Sequence, residues 1–207
     1  MLNRPAVPRR RTTREPRRSF RPQWVHLEER TLLATVTWIN PAGGDWDTAA
    51  NWSSNAVPGS IDDAVIALPN ITVTHNSGAG SVNSITSQDP IALNGGTLGI
   101  ASASTINSSL TMSGGALVVS GKLSINALFA LGDNSTISGI GTIDAYGGVT
   151  VISATLSGVT LNNHATATWR VNDGNGVGIN LSSGAAIDNL AGATFTVVDF
   201  YGGAGIG

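Results

Sequence analysis

The sequence predicts an all-β protein, wound as a single-stranded parallel β-helix behind a basic, disordered N-terminal segment. Three observations predict it. The first is a ladder of apolar residues, Ile100, Ile106, Met112, Val119, Ile125, Leu131, Ile137, Ile143 and Val149, each six residues from the last and once seven. The second is a companion two positions before many rungs: Leu98, Leu110, Leu117, Leu123 and Phe129. Alternate residues of a strand share a face, so each rung reads as a short strand followed by a corner. Three rungs make a circuit of about 18–19 residues, as in a three-sided solenoid. The third is repetition at that length: Gly95-Gly96-Thr97-Leu98 returns as Gly114-Gly115-Ala116-Leu117, nineteen residues on.

Composition points the same way. After Glu29 every acidic residue is Asp, and the only basic residues beyond Arg30 are Lys122 and Arg170. A helical surface is solvated by Glu, Lys and Arg, which this body lacks. Its Gly, Asn, Ser and Thr suit strand faces and tight corners instead. The chain has no Cys, which excludes disulfides and thiolate metal sites. No apolar run is long enough to span a bilayer.

Charge divides the chain. Residues 1–30 hold nine Arg against Glu15, Glu28 and Glu29, whereas residues 31–207 hold two basic residues and ten Asp. Residues 1–23 are Arg- and Pro-rich, cannot bury a core and are expected to be disordered. They lack a folded platform or stacking aromatics, so nucleic acid is not an expected partner. Residues 24–36 follow as an export segment. Within it, Leu27-Glu28-Glu29-Arg30-Thr31-Leu32-Leu33-Ala34 resembles the Leu-Glu-Pro-Arg-x-Leu-Leu signal of large exported planctomycete-type proteins, with Glu29 where Pro is commonest. The resemblance rests on Leu27, Glu28, Arg30, Leu32 and Leu33 and implies export to the cell surface or beyond. The apolar stretch after Arg30 is short for a secretory signal, so the residues alone support export less than the resemblance does.

Residues 37–67 read as a Trp-rich cap: Trp38-Ile39-Asn40, Gly44-Asp45-Trp46, Asn51-Trp52, then Pro58-Gly59 ahead of Asp62-Asp63. This pattern resembles the opening module of bacterial adhesin-like and autotransporter-type β-solenoids. An open solenoid end exposes apolar core and unpaired strand edge, and large aromatics cover both. Residues 68–207 are then the coils. About seven of them, stacked at about 4.8 Å, give a length of about 35 Å. Unequal circuits favour the right-handed form, and the near-six spacing keeps the left-handed form open. Late in the chain, Asn162 to Trp169 aligns with Asp188 to Phe195 twenty-six residues on, with Asp173-Gly174-Asn175-Gly176 as the inserted turn. The glycine-rich end from Tyr201 offers no closing element, so the chain is expected to be the N-terminal part of a longer solenoid.

Chemistry-bearing motifs are scarce. His26, His75 and His164 stand apart from any nucleophile pattern, and no phosphate-binding or metalloprotease motif occurs. Lys122 and Arg170 read as isolated, so no face of consecutive coils gathers the charged cluster of a polysaccharide-degrading enzyme. Asp173 and Asn175 are the candidate Ca2+ ligands, although no Ca2+-loop motif is matched. Asp45, Asp47, Asp62 and Asp63 read as turn and cap residues. Trp46 and Trp52 are the candidate glycan contacts. The expected function is a non-catalytic, exported, adhesin-like scaffold facing a cell surface or extracellular polysaccharide. The alternative is a carbohydrate-binding or polysaccharide-degrading β-helix.

Overall fold

A computed structural model describes residues 34–171 and 178–199. The arginine-rich head, the signal residues Leu27, Glu28, Arg30, Leu32 and Leu33, and the candidate calcium ligands Asp173 and Asn175 lie outside the described residues.

The described chain is a parallel β-solenoid. Its short strands fall into three parallel sheets, and from Asp63 onward successive strands pass to successive sheets. Sheet 1 has eight strands: Thr35–Thr37, Asp63–Ile66, Ser84–Ser87, Ser104–Ile106, Lys122–Ile125, Thr142–Ala145, Thr160–Asn163 and Ala186–Asn189. Sheet 2 also has eight: Gly44–Asp45, Val73–His75, Ile91–Leu93, Leu110–Met112, Phe129–Leu131, Val149–Val151, Thr166–Val171 and Thr194–Asp199. Sheet 3 has six: Ala79–Val82, Thr97–Ile100, Ala116–Val119, Ser135–Gly139, Ala154–Ser157 and Ile179–Ser182. A strand's neighbours in its sheet are therefore its counterparts one circuit earlier and one circuit later. Eight strands at about 4.8 Å span about 34 Å.

The ladder is the core. Ile106, Ile125 and Ile143 are each no more than 1% exposed, and every other rung from Ile100 to Val149 is buried with them. In sheet 3 Leu98, Leu117, Ile137 and Leu156 stack in one column. In sheet 2 Leu110, Phe129, Val149 and Ala167 form another. Three-residue strands suffice because their two outer residues point inward and the corner follows at once, as in Leu110–Met112 and Phe129–Leu131.

The repeated glycine pair is explained at a corner. Gly96 and Gly115 both have left-handed backbone, with φ of 70° and 71°. A Cβ on Gly115 would stand 2.8 Å from the carbonyl carbon of Gly95 in the coil below. Gly115→Ala therefore meets both a strained φ and a clash with backbone. It should destabilise the solenoid by about 2–3 kcal/mol, read as a lowered urea midpoint with unchanged slope.

Corner asparagines form columns of their own. Asn126 Nδ2 donates to Asn107 Oδ1 at 2.6 Å, and Asn94 Nδ2 to Asn76 Oδ1 at 2.8 Å. From sequence alone, Asn107, Asn126 and Asn162 read as residues that follow strands and satisfy backbone groups at corners. Instead Asn126 bonds Asn107 and Asn162 bonds Asp144, side chain to side chain, linking one coil to the next. Asn163 does bond backbone, donating to the carbonyls of Ala165 and Thr194.

The last circuit departs from the alignment read in the sequence. Asn162 and Asn163 do pair with Asp188 and Asn189. The strand that follows slips by two residues, so Ala167 pairs with Phe195 and Trp169 with Val197. The connection from Asn189 to Thr194 is two residues longer than that from Asn163 to Thr166, and it turns at Gly192 with φ 86°. Trp169 and Phe195 are therefore not equivalents. At the other end, Thr35–Thr37 already pairs with Asp63–Ile66, so the first sheet begins within residues 24–36.

Candidate functional site

Two places concentrate polar and aromatic side chains, and the first is the cap. Between Thr37 and Asp63 the chain leaves sheet 1, contributes Gly44–Asp45 to sheet 2, and makes a single 3-10 turn at Ala49–Asn51. Trp38, Trp46 and Trp52 are no more than 1% exposed. Trp52 meets both of the others edge to face, at ring-centre distances of 5.0 and 4.7 Å. Its Nε1 donates to the Trp46 carbonyl at 2.8 Å, and Trp38 Nε1 donates to the Asn40 carbonyl at 2.8 Å. Asn51 braces the turn, donating to the Asp45 carbonyl and accepting from Asn40 Nδ2.

This burial corrects one expectation. Trp46 and Trp52 have no ring face open to a sugar, because the other tryptophans and the first coil cover them. Their side chains serve as core, and a glycan cannot stack on them without unfolding the cap.

The cap aspartates are bound up in the fold. Asp62 Oδ2 accepts from the Gly59 amide at 2.8 Å, closing the turn after Pro58. Asp63 Oδ1 accepts from Ser84 Oγ at 2.6 Å and Asn83 Nδ2 at 2.7 Å, and these bonds hold its carboxyl below the usual range. Asp45 receives Asn76 Nδ2 and Asp47 approaches His75. His75 is fully buried, pointing inward from Val73–His75. Its Nε2 lies 3.3 Å from the Thr97 carbonyl. Its Nδ1 lies 3.0 Å from Asp47 Oδ2 but out of line for a hydrogen bond. No group of three His, Cys, Asp or Glu side chains converges to hold a metal ion among the described residues.

The second place is the outer face of sheet 1. Leu123, Ile143 and Leu161 point inward, so their strand neighbours Ser124, Asp144 and Asn162 point outward and stack in register. Asp144 collects three donors. Lys122 Nζ reaches its Oδ2 at 2.7 Å, while Asn162 Nδ2 at 2.8 Å and His164 Nε2 at 3.0 Å share its Oδ1. The His164 ring stacks on Tyr146 at 4.2 Å. Lys122 is thus not isolated: it joins a cluster drawn from three consecutive coils. The signal was present as Lys122-Leu123-Ser124, Thr142-Ile143-Asp144 and Thr160-Leu161-Asn162, but circuits of twenty and eighteen residues hide it from a fixed-period reading.

Electrostatics define what this cluster does. Burial raises the Asp144 pKa, and the hydrogen bonds from Lys122, His164 and Asn162 outweigh it, holding the carboxyl at about 2. The same Asp144 contact raises the Lys122 pKa. A carboxylate bonded on both oxygens and ionised to such low pH is a poor proton acceptor. Its effect is to tie three coils together. Since the folded pKa is below the ordinary 3.8, this contribution is complete above about pH 4. It is lost progressively as pH falls towards 2. Asp144→Asn should flatten the acid limb of stability against pH in that window, and should lower stability at pH 7 by about 1–2 kcal/mol. An unchanged acid limb would show that the cluster does not link the coils.

An overhanging corner forms an open cleft. The connection 67–72 is longer than the corners beneath it, and residues Leu68, Pro69, Ile71 and Asp89 line a cavity of about 690 Å3. Asp89 Oδ2 is buried there without a hydrogen-bond partner. No helix among the described residues is long and apolar enough to cross a membrane. Compared with protein-family models, curated proteins and solved structures, the chain matches none.

Proposed function

We propose that this chain is a non-catalytic scaffold, exported to the cell surface or beyond, whose adhesin-like coils extend and present their outer faces to a surface or matrix partner. The observation that supports this is the outer face itself. On the outer face of sheet 1 and at the corners, polar side chains that could do chemistry are spent on contacts between coils. Asp144, Lys122, Asn162 and His164 bond one another, and Asn107, Asn126, Asn76 and Asn94 do the same at the corners. Such a face offers rows of Ser, Thr and Asn at strand spacing, which suit a repetitive partner.

Export rests on the resemblance of Leu27 to Ala34 to a planctomycete-type signal and on nothing in the coils. The test is surface labelling of intact producing cells, with and without residues 24–36. The scaffold reading expects labelled, protease-accessible coils that become cell-internal when the segment is deleted. Retention of the intact chain inside the cell would end the surface role. Turnover of a polysaccharide by the purified chain would end the non-catalytic one.

A further inference from the structure

We propose that the cleft under the connection 67–72 is a binding site for an organic ammonium ion, a positively charged nitrogen on an apolar stem, with the Asp89 carboxylate as its counter-ion. Two departures from the coil pattern meet at this place. The corners between sheets 1 and 2 at 88–90, 107–109, 126–128 and 146–148 are three residues long, whereas 67–72 has six. The middle position of those short corners holds Asp89, then Ser108, Ala127 and Gly147. The corner therefore closes without an acidic residue, and coil geometry demands neither the Asp nor the longer connection beside it.

Asp89 is 5% exposed, and its Oδ2 is buried with no hydrogen-bond partner. The nearest hydroxyl in the chain is already committed. Ser87 Oγ donates to the Asp89 carbonyl at 2.7 Å and accepts from the Asp89 amide at 3.2 Å. These bonds fix the backbone of the corner and leave the carboxyl without a donor. A buried carboxylate in that state costs free energy, which an opposite charge offsets. The cleft supplies none, since Asp89 is the only ionisable residue among those lining it. The cavity is open, at about 690 Å3, and Leu68, Pro69 and Ile71 make its overhanging side apolar.

These features select the ligand. A metal ion is the poorer fit: one carboxylate balances one charge, and no three His, Cys, Asp or Glu side chains converge among the described residues. A neutral polyol offers donors but leaves the charge unbalanced. An ammonium both balances it and donates to it, while its carbon stem lies along Leu68, Pro69 and Ile71. Oδ2 is turned away from solvent, so the carboxyl rotates about its Cβ–Cγ bond to take the donor. The site does not depend on the scaffold reading or on export.

The experiment is a titration of the folded 207-residue chain with n-butylammonium chloride at constant ionic strength, followed by amide NMR shifts. Saturable shifts centred on 67–72 and 88–90 are expected. n-Butanol keeps the stem and a donor but lacks the charge, and should bind about tenfold more weakly or worse. Asp89→Asn should abolish saturation while melting no lower than the parent, since it removes a charge that no group in the cleft neutralises. Acetyl-Gly-Lys-Gly-amide separates two sources of such a group. Equal binding points to a lysine side chain of a partner and exclusion to a free amine, each in support of the site. Shifts that rise without saturating and scatter over the surface would overturn the proposal. So would equal binding of butanol, or Ca2+ that saturates the cleft where the ammonium does not. A destabilised Asp89→Asn would overturn it too, by showing that the fold itself holds the carboxyl.

Discussion

Ile125→Asp should unfold the solenoid. Ile125 is fully buried, and its column places it between Ile106 in the coil before and Ala145 in the coil after. A carboxylate there has no donor within the apolar interior, and it cannot reach water without opening the wall. The expected loss is more than about 4 kcal/mol, from the removed burial together with an unpaired buried charge. Total stability of a domain is about 5–15 kcal/mol, so one such change consumes much of it. The position matters as much as the chemistry. In a linear stack each coil is held only by its neighbours, and a break in the middle leaves two short halves that each expose core. Ile140 provides the control, being 86% exposed at a corner. Ile140→Asp should shift stability by no more than about 0.5 kcal/mol. Urea unfolding followed by far-UV circular dichroism separates the two. A folded Ile125→Asp with a near-parental midpoint would mean that the inward columns do not hold the coils together.

The inward columns were legible because they obey two periods that side-chain direction enforces. Leu98 with Ile100 and Leu117 with Val119 announce strands, and the nineteen-residue return of the glycine pair sets the circuit. What reaches across coils on the outside was not legible. Lys122 touches Asp144 because a long side chain leans diagonally over a circuit of twenty residues, and no sequence period marks such a reach. His164 joins them from the corner of the next coil, which is eighteen residues long. The misplacement of Phe195 has the same root: similarity of residues aligned it with Trp169, whereas two extra residues around Gly192 moved it to Ala167. His75 shows a further limit. Its position in Val73–His75 points inward, whereas from sequence a histidine before a turn reads equally as satisfied or solvated. In the fold its Nε2 lies by the Thr97 carbonyl and its Nδ1 by Asp47 of the cap, both distant in sequence.

Trp52→Ala should release the cap. The ring bridges Trp38 and Trp46, and its Nε1 fastens the Trp46 carbonyl, so truncation removes two edge-to-face contacts and a buried hydrogen bond together. Removing a fully buried Trp costs about 3–5 kcal/mol. Loss should begin locally, because Trp38 pairs with Trp52 across the mouth of the cap excursion and both adjoin the first strand of sheet 1. Hydrogen exchange should accelerate first at Thr35–Thr37 and Asp63–Ile66, and strands such as Ala116–Val119 should hold longer. Trp52→Phe keeps an aromatic in the gap and should recover part of the loss. A ring held for glycan binding would behave in the opposite way, with binding lost and melting unchanged, and its burial leaves no face for that. A variant that melts like the parent would show that the tryptophans fill space without holding the cap together.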